Sequence, residues 1–195
     1  MEINQDYMVD FSNFFTSKYT NKKKDLPTRR KLGNLDQIII HCTAAGTTVG
    51  KAKNNAWENP LTCISYDLGP NHISRSGLAT ATYHFYINQA GKCWQLVSME
   101  MKTSHAGNQN GDSVAICINH DGETKEEITK ELYDSLIETI CYIFDKLDWG
   151  YDYHGVVERI HFHRDYSPKL CPGRLNKEQI IKDVAEKLKT YGDNE

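Results

Sequence analysis

Three stretches of this 195-residue sequence concentrate side chains that could bind a metal, attack a carbonyl or move a proton. The first is Ile38-Ile39-Ile40-His41-Cys42-Thr43, where an imidazole follows three β-branched aliphatic residues and so falls at the end of a strand. The second is Ala81-Thr82-Tyr83-His84-Phe85. The third runs from His161 to Gly173 (HFHRDYSPKLCPG), dense in polar side chains, with Pro and Gly fixing a loop. His163 and Cys171 lie eight residues apart, too far for one helical turn and natural for a loop that folds back. A distant histidine completing this His/Cys pair gives three soft or borderline ligands. Zinc accepts imidazole and thiolate, and catalytic zinc keeps three protein ligands and an open fourth position. A structural zinc wants a fourth protein ligand, and the six cysteines include no C-x-x-C spacing to supply it. The same residues also read as a Cys–His nucleophile pair, and spacing alone leaves the two open.

The elements that must position these residues follow from the apolar pattern. Residues 35–42 (LDQIIIHC), 81–88 (ATYHFYIN), 92–97 (KCWQLV), 113–119 (SVAICIN) and 159–162 read as strands, the second and third joined by a Gln89-Ala90-Gly91 turn. Residues 124–147 carry Ile128, Leu132, Leu136, Ile140, Phe144 and Leu147 on one stripe, with a Thr124/Glu127 capping box at the start. A last helix is expected over 177–189. Residues 43–80 read as loops with one short helix near 49–57. The expectation is an α/β fold with a single mixed sheet flanked by helices and the candidate zinc site at the sheet edge.

Residues 1–33 differ from the rest, with a net charge of +3 against −6 for residues 34–195. Tyr7, Met8, Phe11, Phe14 and Phe15 recur at helical spacing, so a short amphipathic helix is expected, followed by an exposed basic connector through Lys22–Lys24 to Arg29-Arg30-Lys31. The division is thus an N-terminal extension over 1–33 and a catalytic domain over 34–195. With 39% hydrophobic and 25% charged residues and net charge −3, the chain has a globular composition, and a nucleic-acid partner is not expected. No membrane span and no signal peptide are expected, and cysteines without a disulfide framework suit a reducing compartment. Cys42, Cys63, Cys93, Cys117 and Cys141 are expected to be packing residues.

The motifs IIIHCTA, TYHFYINQAGK, SHAGNQNGDSVAICI and HRDYSPKLCPG, in this order, resemble the type-2 N-acetylmuramoyl-L-alanine amidases, the family of short phage lysozyme-amidases and peptidoglycan recognition proteins. The resemblance covers roughly residues 35–175. It implies that His41, His163 and Cys171 hold one zinc ion per chain. It implies catalytic roles for Tyr83 and for Lys169, two residues before Cys171, and substrate contacts for His84 and His105. Recognition-only relatives usually carry serine at the thiolate position, so Cys171 argues for a working hydrolase. One departure concerns the strand Val114–Ile118. Some branches place a glutamate base there, and this strand has no carboxylate.

The function implied is cleavage of the amide between N-acetylmuramic acid and L-alanine of peptidoglycan, by a monomer. A phage endolysin in the host cytoplasm, with holin-dependent access to the wall, is the expected setting. The alternative is a peptidoglycan-recognition module with a vestigial metal site. His161 is read as support for the ligands, Arg164 and Asp165 as a structural pair, and His72, His120 and His154 as surface residues. Trp57, Trp94 and Trp149 are read as core.

Overall fold

A computed structural model describes residues 8–10, 24–25, 27–43, 58–72, 74–120 and 128–192. In chain order its elements are β1 (Met8–Asp10), β2 (Gln37–Cys42), α1 (Pro60–Leu68), β3 (Phe85–Ile87), β4 (Cys93–Gln95), β5 (Ser113–Ile118), α2 (Lys130–Lys146), α3 (Tyr153–Arg159), β6 (Ile160–Phe162) and α4 (Lys177–Gly192). Short 3-10 turns lie at Leu32–Asn34, Gly107–Gly111 and His163–Asp165. Among the described residues the strands form one mixed sheet of order β1-β4-β3-β5-β2-β6, in which β3 and β4 are the one antiparallel strand pair.

β2 is flanked by parallel neighbours, with Ile38 level with both Val114 of β5 and Ile160 of β6. A strand enclosed this way must be apolar on both faces, which is why it reads QIIIHC with every residue buried. Its period of two sends Ile38, Ile40 and Cys42 into the larger core, shared with Leu132, Leu136, Ile140 and Phe144 of α2, Val156 of α3 and Ile180, Val184 and Leu188 of α4. The other face carries His41, level with Cys117, over the smaller core of Tyr86, Trp94, Leu96 and the α1 residues Cys63 and Ile64. Truncating any of the fully buried isoleucines of β2 would cost about 2–5 kcal/mol.

The β3–β4 hairpin turns as the sequence indicates. Gly91 takes φ +77° and its N–H bonds to the Asn88 carbonyl at 3.0 Å. α2 begins later than its periodicity suggests: Ile128 and Thr129 are not helical, and the Thr129 side chain accepts from Leu132 N at 3.2 Å. The Thr124/Glu127 box lies outside the described residues, as does the helix expected near 49–57. α1 escaped the sequence reading although its signals are present, with Pro60 in the first turn and the Asn59 side chain accepting from Leu61 N at 2.9 Å.

Met8–Asp10, inside the stretch expected to be helical, instead pair parallel with β4 as an edge strand; Tyr7, Phe11, Phe14 and Phe15 lie outside the described residues. The basic connector is not fully solvated either. Arg30 N donates to Glu100 O at 2.7 Å and Lys102 N to Thr28 O at 3.0 Å. The Arg30 side chain turns inward, donating through Nε to Met99 O (2.9 Å), Nη1 to Asn110 O (2.8 Å) and Nη2 to Ser113 O (2.8 Å). Burial lowers its pKa to about 10, against the pull of Asp112, so it stays charged near neutrality.

Candidate metal centre and groove

In a parallel sheet the carboxyl ends of adjacent strands form a natural ligand site. His41 sits at that end of β2, and His163 follows directly on the neighbouring β6. Cys171 returns to them because the intervening loop closes on itself. Arg164 N donates to Cys171 O at 2.9 Å, and the Arg164 guanidinium donates to the carbonyls of Gly173 and, at 3.1 Å, Leu175. Asp165 pins the start of the loop, accepting from Phe162 N at 2.9 Å and Lys177 Nζ at 2.7 Å. Arg164 and Asp165 are therefore structural, but each braces backbone and neither binds the other.

One ligand atom each of His41, His163 and Cys171 lies within 4.8 Å of the other two. His41 Nδ1 faces Cys171 Sγ at 4.0 Å, and the Cys42 N–H points at the same sulfur at 3.2 Å. Two ligands of one tetrahedral ion, at 2.0–2.1 Å for nitrogen and about 2.3 Å for sulfur, stand roughly 3.5 Å apart, so little contraction is needed. His41 is buried while His163 and Cys171 are half-exposed, which gives an open side toward solvent. Burial, then the positive environment of His163 and Lys169, lowers the His41 pKa well below its usual value. Burial, then Lys169, also lowers the His163 pKa. Both imidazoles are thus neutral near pH 7, the form that ligates. The donor set fits a borderline cation such as zinc.

A cysteine nucleophile needs a lowered thiol pKa. Here hydrogen bonding with the Cys42 thiol, then burial, pushes Cys171 far up, so without a cation it is a thiol. A bound metal would deprotonate it outright. A raised thiol pKa is the reverse of what a cysteine nucleophile needs.

Beside the cluster opens a groove of about 480 Å³, lined by His105, Gln109, His163, Tyr166, Ser167 and Lys169, among others. Lys169 is exposed on its wall and its charge acts on both His41 and His163. Tyr83 packs against His41 with ring centroids 5.1 Å apart. Its hydroxyl is within hydrogen-bonding reach of the Cys117 thiol, and burial, then nearby Cys117 and Asp67, raises its pKa well above 10, so it is a phenol and a donor.

His105 reaches the groove at 8% exposure, but both ring nitrogens are engaged inward, with His41 Nε2 at 3.0 Å and Ser113 Oγ at 3.1 Å. His84 does not line the groove and is corrected from substrate contact to core. It is 0% exposed; its Nδ1 accepts from Ala115 N at 2.9 Å, so its Nε2–H donates to Met101 O at 2.9 Å. The residues around it leave substrate no polar atom of His84 to meet. His120 is likewise buried, not at the surface. His161 is held by α3 rather than by the ligand loop, its Nε2 donating to Glu158 O at 2.8 Å, while its Nδ1 stands 3.8 Å from Asp165, beyond hydrogen-bond distance.

Two contributors were not read from the sequence. The Asn110 side chain shapes the turn at His105, accepting from His105 N (3.0 Å) and Ala106 N (2.7 Å). Tyr166, on the groove wall, donates to Gln37 Oε1 at 2.5 Å. The amide-rich run Asn108-Gln109-Asn110 was the available signal. The five other cysteines are buried in the two cores, as expected of packing residues.

A family model described as N-acetylmuramoyl-L-alanine amidase (Amidase_2) matches residues 31–174. No curated protein matches the chain. Among solved structures it is similar to the N-acetylmuramoyl-L-alanine amidase LysC from Clostridium intestinale, at 20% identity over 91% of this chain and 96% of that one, with a TM-score of 0.61. It is similar to the Ph2119 endolysin of a Thermus scotoductus bacteriophage, at 14% identity over 91% and 98% of the two chains and a TM-score of 0.62. Drosophila peptidoglycan recognition protein SD follows at 20% identity, 89% and 93% coverage and a TM-score of 0.60. At these identities the solved structures establish the fold. Among the described residues no helix is long and apolar enough to cross a membrane.

Proposed function

The chain belongs to the N-acetylmuramoyl-L-alanine amidase family, and from that premise we propose that it is a zinc-dependent hydrolase of the amide joining N-acetylmuramic acid to L-alanine in peptidoglycan. The observation that carries this reading is the convergence of His41, His163 and Cys171 within 4.8 Å on the open side of a 480 Å³ groove. A zinc ion held by these three residues supplies Lewis acidity and a water-derived nucleophile near neutral pH.

The chain's own residues do the rest. His41 and His163 bind as neutral imidazoles and Cys171 as a thiolate, whose charge the Cys42 N–H helps to hold. Lys169 presents its ammonium at the groove wall, where negative charge gathers on the scissile carbonyl oxygen during attack. Tyr83, a protonated phenol against His41, donates rather than accepts, so it orients the reacting groups or returns a proton and does not act as the base. β5 carries no carboxylate that could take the base role.

The catalytic unit in this proposal is 34–195, with 1–33 an extension fastened to it at Arg30. Its setting is bacterial wall lysis, as a phage endolysin or a similar enzyme, which the likeness to endolysin structures supports. Incubation with a purified muropeptide separates this from a recognition module. Release of free stem peptide supports the hydrolase; tight binding with the muropeptide recovered intact supports recognition and overturns the proposal.

A further inference from the structure

A chain of hydrogen bonds runs from the candidate metal centre into the protein, and its direction is fixed at the far end. The Gln109 backbone carbonyl can only accept, so the Ser113 hydroxyl donates to it. Having spent its one proton, Ser113 Oγ must accept from His105 Nε2–H at 3.1 Å. His105 Nδ1 is then a bare lone pair and accepts from His41 Nε2–H at 3.0 Å. That leaves His41 Nδ1 unprotonated, and it is this nitrogen that faces Cys171 Sγ at 4.0 Å. Each step follows from the one before it.

The chain is shielded from solvent, with His41 at 1%, His105 at 8% and Ser113 at 0% exposure, so water does not readily substitute for a missing member. Its far end is held as well. Gln109 N donates to Ala106 O at 3.1 Å, Gln109 Oε1 accepts from Gln37 Nε2 at 2.9 Å, and Gln37 is tied through Tyr166 to the loop that carries His163. Side-chain partners that hold a metal-ligating histidine fix both its tautomer and its ring orientation.

We infer that His105 is a positioning residue, which with Ser113 and the Gln109 carbonyl locks His41 into the tautomer whose Nδ1 faces the metal, rather than a residue that contacts substrate through its ring nitrogens. This rests on the proposed zinc reading of the site, and its tests are chosen to separate the two.

In the metal-free chain, nitrogen-15 NMR of the imidazoles reads the tautomers directly. The relay predicts the Nε2–H form for both His41 and His105; an Nδ1–H form at His41 overturns it, whatever the chain does with zinc. Zinc affinity, measured by competition with a chromogenic chelator, then tests the consequence. His105→Leu removes the acceptor and should weaken binding roughly 10- to 100-fold. His105→Asn places an amide oxygen near the Nδ1 position and should stay within about threefold of wild type, while Ser113→Ala falls between. A leucine variant with wild-type affinity, or an asparagine variant as weak as the leucine one, overturns the inference. If the leucine variant fails to fold, the asparagine and alanine variants and the tautomers decide it. A wild-type chain that shows these tautomers but takes up no zinc sinks the proposed function and leaves the relay standing as a structural device.

Discussion

Replacing His84 by glutamine separates a core histidine from a groove histidine. His84 is wholly buried, and burial first, then the charge of Arg30 at 3.0 Å, lowers its pKa to about 3. In the unfolded chain it returns to about 6.5. The folded pKa is the lower one, so the unfolded state binds more protons in this window. Stability is fully present above pH 6.5 and is lost as pH falls toward 3. Integrated from pH 7.5 to 5, this single residue accounts for about 2 kcal/mol of lost stability. In His84→Gln the amide N–H can still reach the Met101 carbonyl, but nothing titrates. The variant starts less stable, by about 1–3 kcal/mol, because the buried Ala115 N–H loses its acceptor. Its further loss on acidification should nevertheless be about 2 kcal/mol smaller than that of wild type. Urea denaturation at half-unit pH steps gives both curves, and the contributions of the other histidines cancel in their difference. Parallel curves between pH 7.5 and 5 would refute the placement of His84 as a buried neutral imidazole.

The other predictions concern the elements around the site. Gly91→Ala forces a Cβ to 2.6 Å from the Glu131 carbonyl at φ +77° and should cost about 2 kcal/mol or more, seen as a lowered melting temperature; an unchanged melt contradicts the hairpin–helix packing. Arg164→Met removes the donors that close the ligand loop on Gly173 and Leu175, and zinc affinity should drop about tenfold by dialysis against a metal buffer; unaltered affinity contradicts the bracing role. Asp67 is buried with a pKa raised to about 6, so its contribution to stability is full below pH 4 and lost as pH rises through 6. Asp67→Asn should therefore gain on wild type by about 2 kcal/mol between pH 4 and 7, and a flat difference between their denaturation curves counts against it.

The parts legible in the sequence were those where one strong constraint decides. β2 had to be continuously apolar because it is enclosed on both sides, and His41 at its end stood out for that reason. The stripes of α2 and α4 are set by the sheet face they cover. α1 and α3 are short and amphipathic only weakly, so their capping residues Asn59 and Asp152 carried the signal that periodicity did not. The described part of α2 begins at Lys130, where the Thr129 side chain caps Leu132 N, while the Thr124/Glu127 pattern lies outside the described residues. Within the site, His163 and Cys171 were legible from their loop, but the bond Arg164 N to Cys171 O that joins them was not. His84 and His105 looked alike as polar residues near Tyr83 and a Gly-rich turn. Only packing shows that Arg30, from far along the chain, seals one into the core and that Ser113 turns the other toward His41.

The central claim is one zinc ion, held by His41, His163 and Cys171, cutting one bond. Its most direct test is mass spectrometry of the soluble products from bacterial sacculi. The sacculi are incubated with wild type, wild type plus chelator, the chelated protein with zinc restored, and Cys171→Ser. The account predicts stem peptides that begin with a free L-alanine amine, appearing with wild type, vanishing with chelator, returning with one equivalent of zinc and absent with Cys171→Ser. Products cut elsewhere in the wall, or the same peptides released in chelator or by Cys171→Ser at the wild-type rate, would contradict it.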